Sequence, residues 1–392
     1  MIRPRRWLRR QAIRLAIGLL GLPVGAVALA QRFVDRPPQG VSKVLVVRLD
    51  LLGDVALSLP AVRALRAAYP AAHVVMLVRP AAAAIARRCP AVDRVLTFDP
   101  DRLRPSGTPL APEAWRELGT ALRSVRQERF DLAVGLFGVW ASLFVIASGA
   151  PLRVGYRREG FPWAYTVAVP GRRYHPVRHE ASYCLRLARA AGGIALPGRD
   201  LVTAPEDRMA ATRILSAAGW DGRPLVVINA GSAAGDAKRW TPNGWRELLA
   251  DLLAGGAAVA LVGSPADRSL AEAIAAGLSP RPFVLAGQTS VAELLGLLER
   301  ASLVVSGDSG PLHLAAALGV PVVAIHGPSD PRISGPRSRR SAVVRLNLPC
   351  SPCYDATYPA ECPLGHHRCM RDLTSARVAG AVEPLLPLRQ GR

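Results

Sequence analysis

Residues 303–325, LVVSGDSGPLHLAAALGVPVVAI, constrain the fold more than any other stretch of the chain. Leu303-Val304-Val305 reads as a buried strand and Ser306-Gly307-Asp308-Ser309-Gly310 as a tight polar loop. Pro311 follows where a helix tolerates it best, because the first turn does not need its missing N–H. The alanine-rich helix runs over 312–318, and Gly319 closes it before a second buried strand at 322–325. A strand, a Gly-rich loop and a helix N-terminus aim free N–H groups and the positive dipole end at one point, which is an anion site. Asp308, Ser309 and His313 add an acceptor, a hydroxyl and an imidazole there. Taken alone, the loop reads equally well as an ordinary β–α turn with Asp308 and Ser309 as caps.

The same alternation recurs along the chain. Buried runs at 43–48, 74–78, 94–98 and 132–136 are separated by helical patterns, and a second set follows at 224–229, 258–262, 283–285, 303–305 and 322–325. After the first run, Val55, Leu59, Val62 and Leu65 recur at the spacing of an amphipathic helix. Such alternation predicts parallel sheets covered on both faces. At 392 residues the chain can form two domains, each with its own core. Half the residues are hydrophobic and only 5% aromatic, which favours packed α/β layers over a β-sandwich. The pattern loosens over 192–221, the expected passage between domains. The division expected is an arm and linker at 1–40, α/β domains at 41–200 and 201–372, and a terminal helix at 373–392.

The arm has its own chemistry. Six Arg fall within the first fourteen residues, and residues 15–30 carry no polar side chain. That run is shorter than the ~20 residues of a spanning helix, which suits a re-entrant or interfacial anchor. A cleaved signal peptide is the rival, with Ala28-Leu29-Ala30 as the cleavage-like triplet. The net charge of +21 fits nucleic acid, an anionic membrane or phosphorylated substrates. Arg is not interleaved with aromatics and no recognition helix is visible, so nucleic acid ranks last.

Two further features carry chemistry. The loop after 43–48 is not a G-x-G-x-x-G fingerprint, so a dinucleotide site is unsupported. Asp54 in that loop reads either as a helix N-cap or as a general base at the sheet's C-terminal edge. The loop at 230–240 is small and ends in Lys238 and Arg239. Near the C-terminus, Cys350, Cys353, Cys362 and Cys369 lie close in sequence, with His366 and His367 among them. Their spacing fits a structural zinc, or one or two disulfides in an oxidising compartment. Cys89 and Cys184 read as small buried hydrophobes.

Four blocks together resemble a known family: VLVVRLDLLGDVALSLPAVRALRAAYP, INAGSAAGDAKRWTPNGW, the stretch AGQTSVAELLGLLERASLVVSGDSGPLHLAAALGVPVVAIHGPSDP, and the Cys-rich tail. The chain resembles family 9 glycosyltransferases, the ADP-heptose:lipopolysaccharide heptosyltransferases, over roughly 43–382. The resemblance implies a GT-B fold, two Rossmann-like domains facing a central cleft. It implies an inverting transfer with Asp54 as the catalytic base and no cofactor for catalysis. Gly231, Ser232, Lys238, Asp308, Ser309, Gly310 and His313 would bind the donor. Ser309 stands where the family usually has threonine. The loop 231–237 retains only Ser232 of the hydroxyl pair some members carry. Implied partners are ADP-heptose, a lipid-linked saccharide and, through the arm, the cytoplasmic face of the bacterial inner membrane. Arg63, Arg66, Arg87 and Arg88 are candidates for the acceptor side. The alternatives are another nucleotide sugar or a non-catalytic binding homologue. In this fold the terminal helix could cross back to the first domain.

Overall fold

The computed structural model describes residues 40–103, 112–171, 176–233, 235–353 and 361–386. The arm, and with it the choice between anchor and signal, lies outside the described residues. The first half is built on β1 (Lys43–Arg48), β2 (His73–Val78), β3 (Arg94–Thr97), β4 (Leu132–Gly135), β5 (Leu152–Tyr156) and β6 (Val167–Val169). The second is built on β7 (Leu225–Asn229), β8 (Ala258–Leu261), β9 (Phe283–Val284), β10 (Leu303–Gly307), β11 (Val322–Ile325) and β12 (Ser341–Val344). The strand orders are β3-β2-β1-β4-β5-β6 and β12-β11-β10-β7-β8-β9. Every pairing within them is parallel. Each half therefore has the doubly wound topology, with its switch point between β1 and β4 or between β7 and β10. Ligands of such sheets collect beyond the carboxyl ends of those strands.

Helices α1 (Leu52–Ala68), α2 (Glu180–Ala190), α3 (Pro205–Ala217), α4 (Pro242–Ala254), α5 (Val291–Arg300), α6 (Gly310–Leu318) and α7 (Ser375–Val382) shape the cleft and the links around it. The expected stripe of α1 is real: Val55, Leu59, Val62 and Leu65 are all fully buried. One apolar cluster runs from these residues into Leu312 and Leu314 of α6, so the two halves share a continuous core through α1 and α6. In the linker region, α3 packs on α5 of the second half.

Three strands escape the sequence pattern for physical reasons. β6 is only three residues long, and β12 is a half-buried edge. β5 carries Arg153, a cation buried by donating to the carbonyls of Ala150 and Ala164. The terminal helix α7 does not cross back to the first half. Val378 and Val382 bury into the second-half cluster with Trp245 and Leu249, and α7 packs on α4 and β12. Its apolar face finds its partner locally, which removes any drive to cross.

Candidate active site

The first half ends its central strand in a charge. Arg48, the last residue of β1, is fully buried. Its Nε lies 2.9 Å from Asp50, Nη1 lies 2.9 Å from Glu180 of α2, and Nη2 donates to Asp54 Oδ1 at 3.1 Å. Nη1 also donates to Cys184 Sγ at 3.5 Å, so Cys184 is more than a filler. Burial alone would push the guanidinium toward losing its proton. Asp50 and Glu180, with smaller help from Cys184 and Asp54, instead carry its pKa well above the usual arginine value. Asp54 sits in the first turn of α1, whose N-cap is Leu51, and its carboxylate faces Arg48. That geometry replaces the capping role by an ion pair at the sheet edge.

The second half presents the opposite arrangement. Asn229 closes β7 and pairs in register with Ser306 of β10. Its Nδ2 donates to Ser309 Oγ at 2.9 Å and to the Gly231 carbonyl at 3.1 Å. Ser306 and Ser309 hydroxyls lie 2.8 Å apart. Ser309 is the N-cap of α6 but makes no side-chain cap bond, so its hydroxyl belongs to this polar cluster. Lys238 leaves the turn after β7 and meets the buried Asp308 at 2.8 Å, its own side chain being partly buried. Ser334 donates to the same carboxylate oxygen at 3.1 Å, and His313 Nε2 lies 3.4 Å from the other. Burial would raise the pKa of Asp308, but Lys238, then His313 and His326, hold it well below the usual carboxylate range. His326, at the end of β11, is fully buried, with Nδ1 3.1 Å from Ser329 Oγ. Its burial pushes the imidazole pKa down, against the pull of Asp308.

The halves meet where these clusters end. A Cβ added to Gly53 would lie 2.7 Å from His313 Cδ2, and one added to Gly310 would lie 3.3 Å from Leu52 Cβ. Two glycines thus let the first turns of α1 and α6 approach backbone to backbone. The turn that carries Asp54 is seated against the imidazole that contacts Asp308. Two further ties flank this contact: His179 Nε2 to the Gly335 carbonyl at 2.8 Å, and Arg88 Nε to Asp207 of α3 at 2.6 Å.

Expected donor residues Lys238, Asp308, Ser309 and His313 converge on one edge, and Gly310 lies at the junction. Gly231 and Ser232 open the loop beside them; Ser232 is buried, and Gly231 leaves no room for a side chain against Asp267. Three of the four arginines expected on the acceptor side are held in ion pairs. Arg63 pairs with Asp200 at 2.8 Å, Arg66 with Asp93, and Arg88 with Asp207 and Glu206. Arg87 remains exposed. Cys350, Cys353, Cys362 and Cys369 are free thiols. Among the described residues, no three His, Cys, Asp or Glu side chains are grouped to hold a metal ion. Sequence reasoning missed Arg48, Glu180, Asn229, Ser306, His326 and Ser334. A usable signal existed for two of them: Arg48 and Asn229 are the polar residues that close otherwise apolar strands.

Two doubly wound sheets whose halves meet through α1 and α6, with Asp54 at the carboxyl end of one and the Lys238–Asp308 pair at that of the other, form the GT-B arrangement. Residues 118–363 match the profile of Glycosyltransferase family 9 (heptosyltransferase). Lipopolysaccharide heptosyltransferase 2 of Escherichia coli (strain K12) is 28% identical over 360 residues, spanning 88% of this chain and 98% of that one. The crystal structure of a family 9 glycosyl transferase from Veillonella parvula superposes with a TM-score of 0.77 at 22% identity, covering 90% of this chain and 99% of that one. E. coli ADP-heptose lps heptosyltransferase II superposes with a TM-score of 0.69 at 24% identity, covering 89% and 100%. The chain belongs to glycosyltransferase family 9, and it is a glycosyltransferase enzyme of the heptosyltransferase type.

Proposed function

We propose that the chain moves heptose from ADP-heptose onto a phosphate-bearing, lipid-linked saccharide of the lipopolysaccharide core, inverting the anomeric centre. The observation that carries this reading is the seating of the Asp54 turn against His313, itself in contact with Asp308 and through it with Lys238. Asp54 takes the proton of the acceptor hydroxyl as that oxygen attacks the anomeric carbon from the face opposite the nucleotide. The departing diphosphate gains negative charge, which Lys238 and the N-terminus of α6 at Ser309–Gly310 stabilise. Asp308 and His313 hold the sugar, and Gly231 and Ser232 line the nucleotide side. No covalent glycosyl intermediate is required.

The loop 231–237 keeps one hydroxyl, Ser232, which favours a second reading in which the donor is a different nucleotide sugar. The acceptor's phosphates account for the net charge of +21, and the basic arm would hold the enzyme at the cytoplasmic face of the inner membrane, where nucleotide sugars are made. Among the described residues, no helix is long and apolar enough to cross a membrane. A structural zinc at the four C-terminal cysteines stays part of the proposal, and metal analysis of the purified full chain tests it. Donor choice is tested by ADP or UDP release from a panel of nucleotide sugars with an extracted lipid acceptor. Turnover confined to ADP-heptose is the expected result. Turnover of another sugar alone moves the assignment to the second reading, and hydrolysis or transfer with none of them leaves a binding homologue.

A further inference from the structure

We propose that His179 is a positioning residue for transfer: its one ring caps α2 in the half that carries Asp54 and bonds Gly335 in the half that carries Asp308, setting the two edges against each other. The inference rests on the reading that these two carboxylates serve one reaction. His179 Nε2 lies 2.8 Å from the Gly335 carbonyl oxygen, across 156 positions of sequence.

The hydrogen bonds fix the state of the ring. A carbonyl oxygen can only accept, so Nε2 carries the proton. Nδ1 accepts from the Ala181 N–H at 3.2 Å and therefore carries none. The imidazole is the neutral tautomer with both nitrogens in use, and burial lowers its pKa in keeping with that form. The usual caps, Ser, Thr, Asp and Asn, are short side chains that satisfy the helix end and reach no further. A histidine caps with one nitrogen and holds out a donor on the other. Here that donor crosses to the second half.

Each end of the bond is anchored close to an edge. On the first side α2 packs along α1, and Glu180, next in sequence, pairs with Arg48, which also donates to Asp54. At the far end of the two helices Tyr69 donates to the Ala191 carbonyl at 2.6 Å, so α2 is tied to α1 at both ends. On the second side Gly335 closes the short helix Pro331–Ser334, donating to the Pro331 carbonyl at 2.8 Å. A Cβ on Gly335 would lie 2.5 Å from that oxygen, so the turn leaves no room for a side chain. Ser334, one peptide away, donates to Asp308 at 3.1 Å. Of the three ties between the halves, the Gly53 contact is steric and the Arg88–Asp207 pair lies at the start of α3. The His179 bond is the directional one beside Asp308. A misplacement of about 1 Å between reacting groups can cost about 10²-fold in rate, so a bond that sets this spacing bears on kcat more than on donor binding.

His179→Asn and His179→Gln, made in the full chain, divide the two tasks of the ring. Asparagine is a good N-cap but ends short of Gly335; glutamine extends toward the Nε2 position and can donate to Gly335, but caps poorly. For His179→Asn the expected result is a fall of about tenfold in kcat for heptose transfer, with KM for ADP-heptose within about twofold. Amide exchange over 52–56 and 332–335, followed by mass spectrometry, should be faster than in the wild type. His179→Gln should recover kcat to within about threefold of the wild type and restore the slow exchange, despite the weaker cap. Wild-type kcat and exchange in His179→Asn overturn the proposal. So does a His179→Gln variant that loses as much rate as His179→Asn, because the cap would then be what matters. Asp54→Asn separates this from the parent reading. Full activity in that variant, or a wild type that transfers no sugar, removes the shared reaction and leaves the tie to be judged by exchange alone. Faster exchange in His179→Asn than in His179→Gln then supports the tie, and equal exchange overturns it.

Discussion

The two halves use one topology to build opposite electrostatic sites. At the edge of the first sheet a buried cation, Arg48, is ringed by Asp50, Asp54 and Glu180. At the edge of the second a buried carboxylate, Asp308, is ringed by Lys238, His313 and Ser334. The first arrangement sets Asp54, the proposed base, in an ion pair with a buried cation. The second gathers donors and a cation where the proposed mechanism has a leaving diphosphate gain negative charge. The fold supplies a sheet edge twice, and the residues that close β1, β7 and β10 decide what each edge can do.

The sharpest way to break this contrast is at its acidic end. Asp54→Asn should lower kcat by about 10³-fold, within the range a positioned general base contributes. ADP binding, measured by calorimetry, should stay within about twofold, because the proposed donor contacts sit on the other half. A parallel loss of ADP affinity would mean that the two edges do not divide the work. The second-largest effect is expected at the basic end. Lys238→Met should reduce kcat by about 10²-fold and raise KM for the donor. It also leaves the buried Asp308 without its cation, which should cost about 3 kcal/mol in urea unfolding. Asp308→Asn added to Lys238→Met should return part of that stability and none of the activity.

The contact between the edges can be tested on its own. Gly53→Ala places a methyl group 2.7 Å from His313 Cδ2, too close to accept without movement. Overpacking of this kind costs about 1–3 kcal/mol. Separation of the first turns of α1 and α6 should reduce transfer several-fold while ADP binding persists. An unaffected rate would show that the closed contact is not the reacting arrangement.

The sequence displays much of this arrangement, and its gaps have physical causes. The strand–loop–helix at 303–325 could be read because its apolar runs, Pro311 and Gly319 punctuate it unambiguously; the observed elements are β10, α6 and β11. Asp54, Lys238, Asp308 and His313 were visible as chemistry-bearing residues in loops and first turns. Glu180 was not, since an acidic residue opening a helix carries no mark of the strand residue it pairs with 132 positions away (48 against 180). The ion pairs of Arg63, Arg66 and Arg88 could not be read for a related reason. A count of cations says nothing about whether Asp93, Asp200 or Asp207 already claims them. His326 also went unnoticed, since it follows an apolar strand and the groups that act on it, Ser329, Asp308, His313 and Lys238, carry no mark in the sequence beside it.

His326 offers the smallest and most discriminating test of the comparison, because it asks whether Lys238 is joined by a further cation around the one anion of the second edge. Burial lowers its pKa below the model-peptide value of 6.5, with Asp308 opposing the shift and His313 and Lys238 adding to it. A histidine whose folded pKa lies below its unfolded one contributes stability that is present above about pH 6.5 and is lost as pH falls toward the folded value, since the unfolded chain takes up the proton first. His179, at the tie to the Gly335 carbonyl, is shifted in the same direction, chiefly by burial. Asp308 adds no slope in this window: it is charged in the folded state, where its pKa is depressed, and in the unfolded chain, whose ordinary aspartate value lies well below this range, so its stabilising contribution is present throughout. The urea midpoint should therefore fall modestly between pH 7.5 and 5.5. His326→Gln should remove part of that slope and His179→Gln another part, independently, because the two rings occupy separate contacts. If the slope survives both substitutions, acidification acts elsewhere. If His326→Gln removes none of it, His326 is charged in the folded protein, and the second edge holds one more cation than the contrast with Arg48 allows.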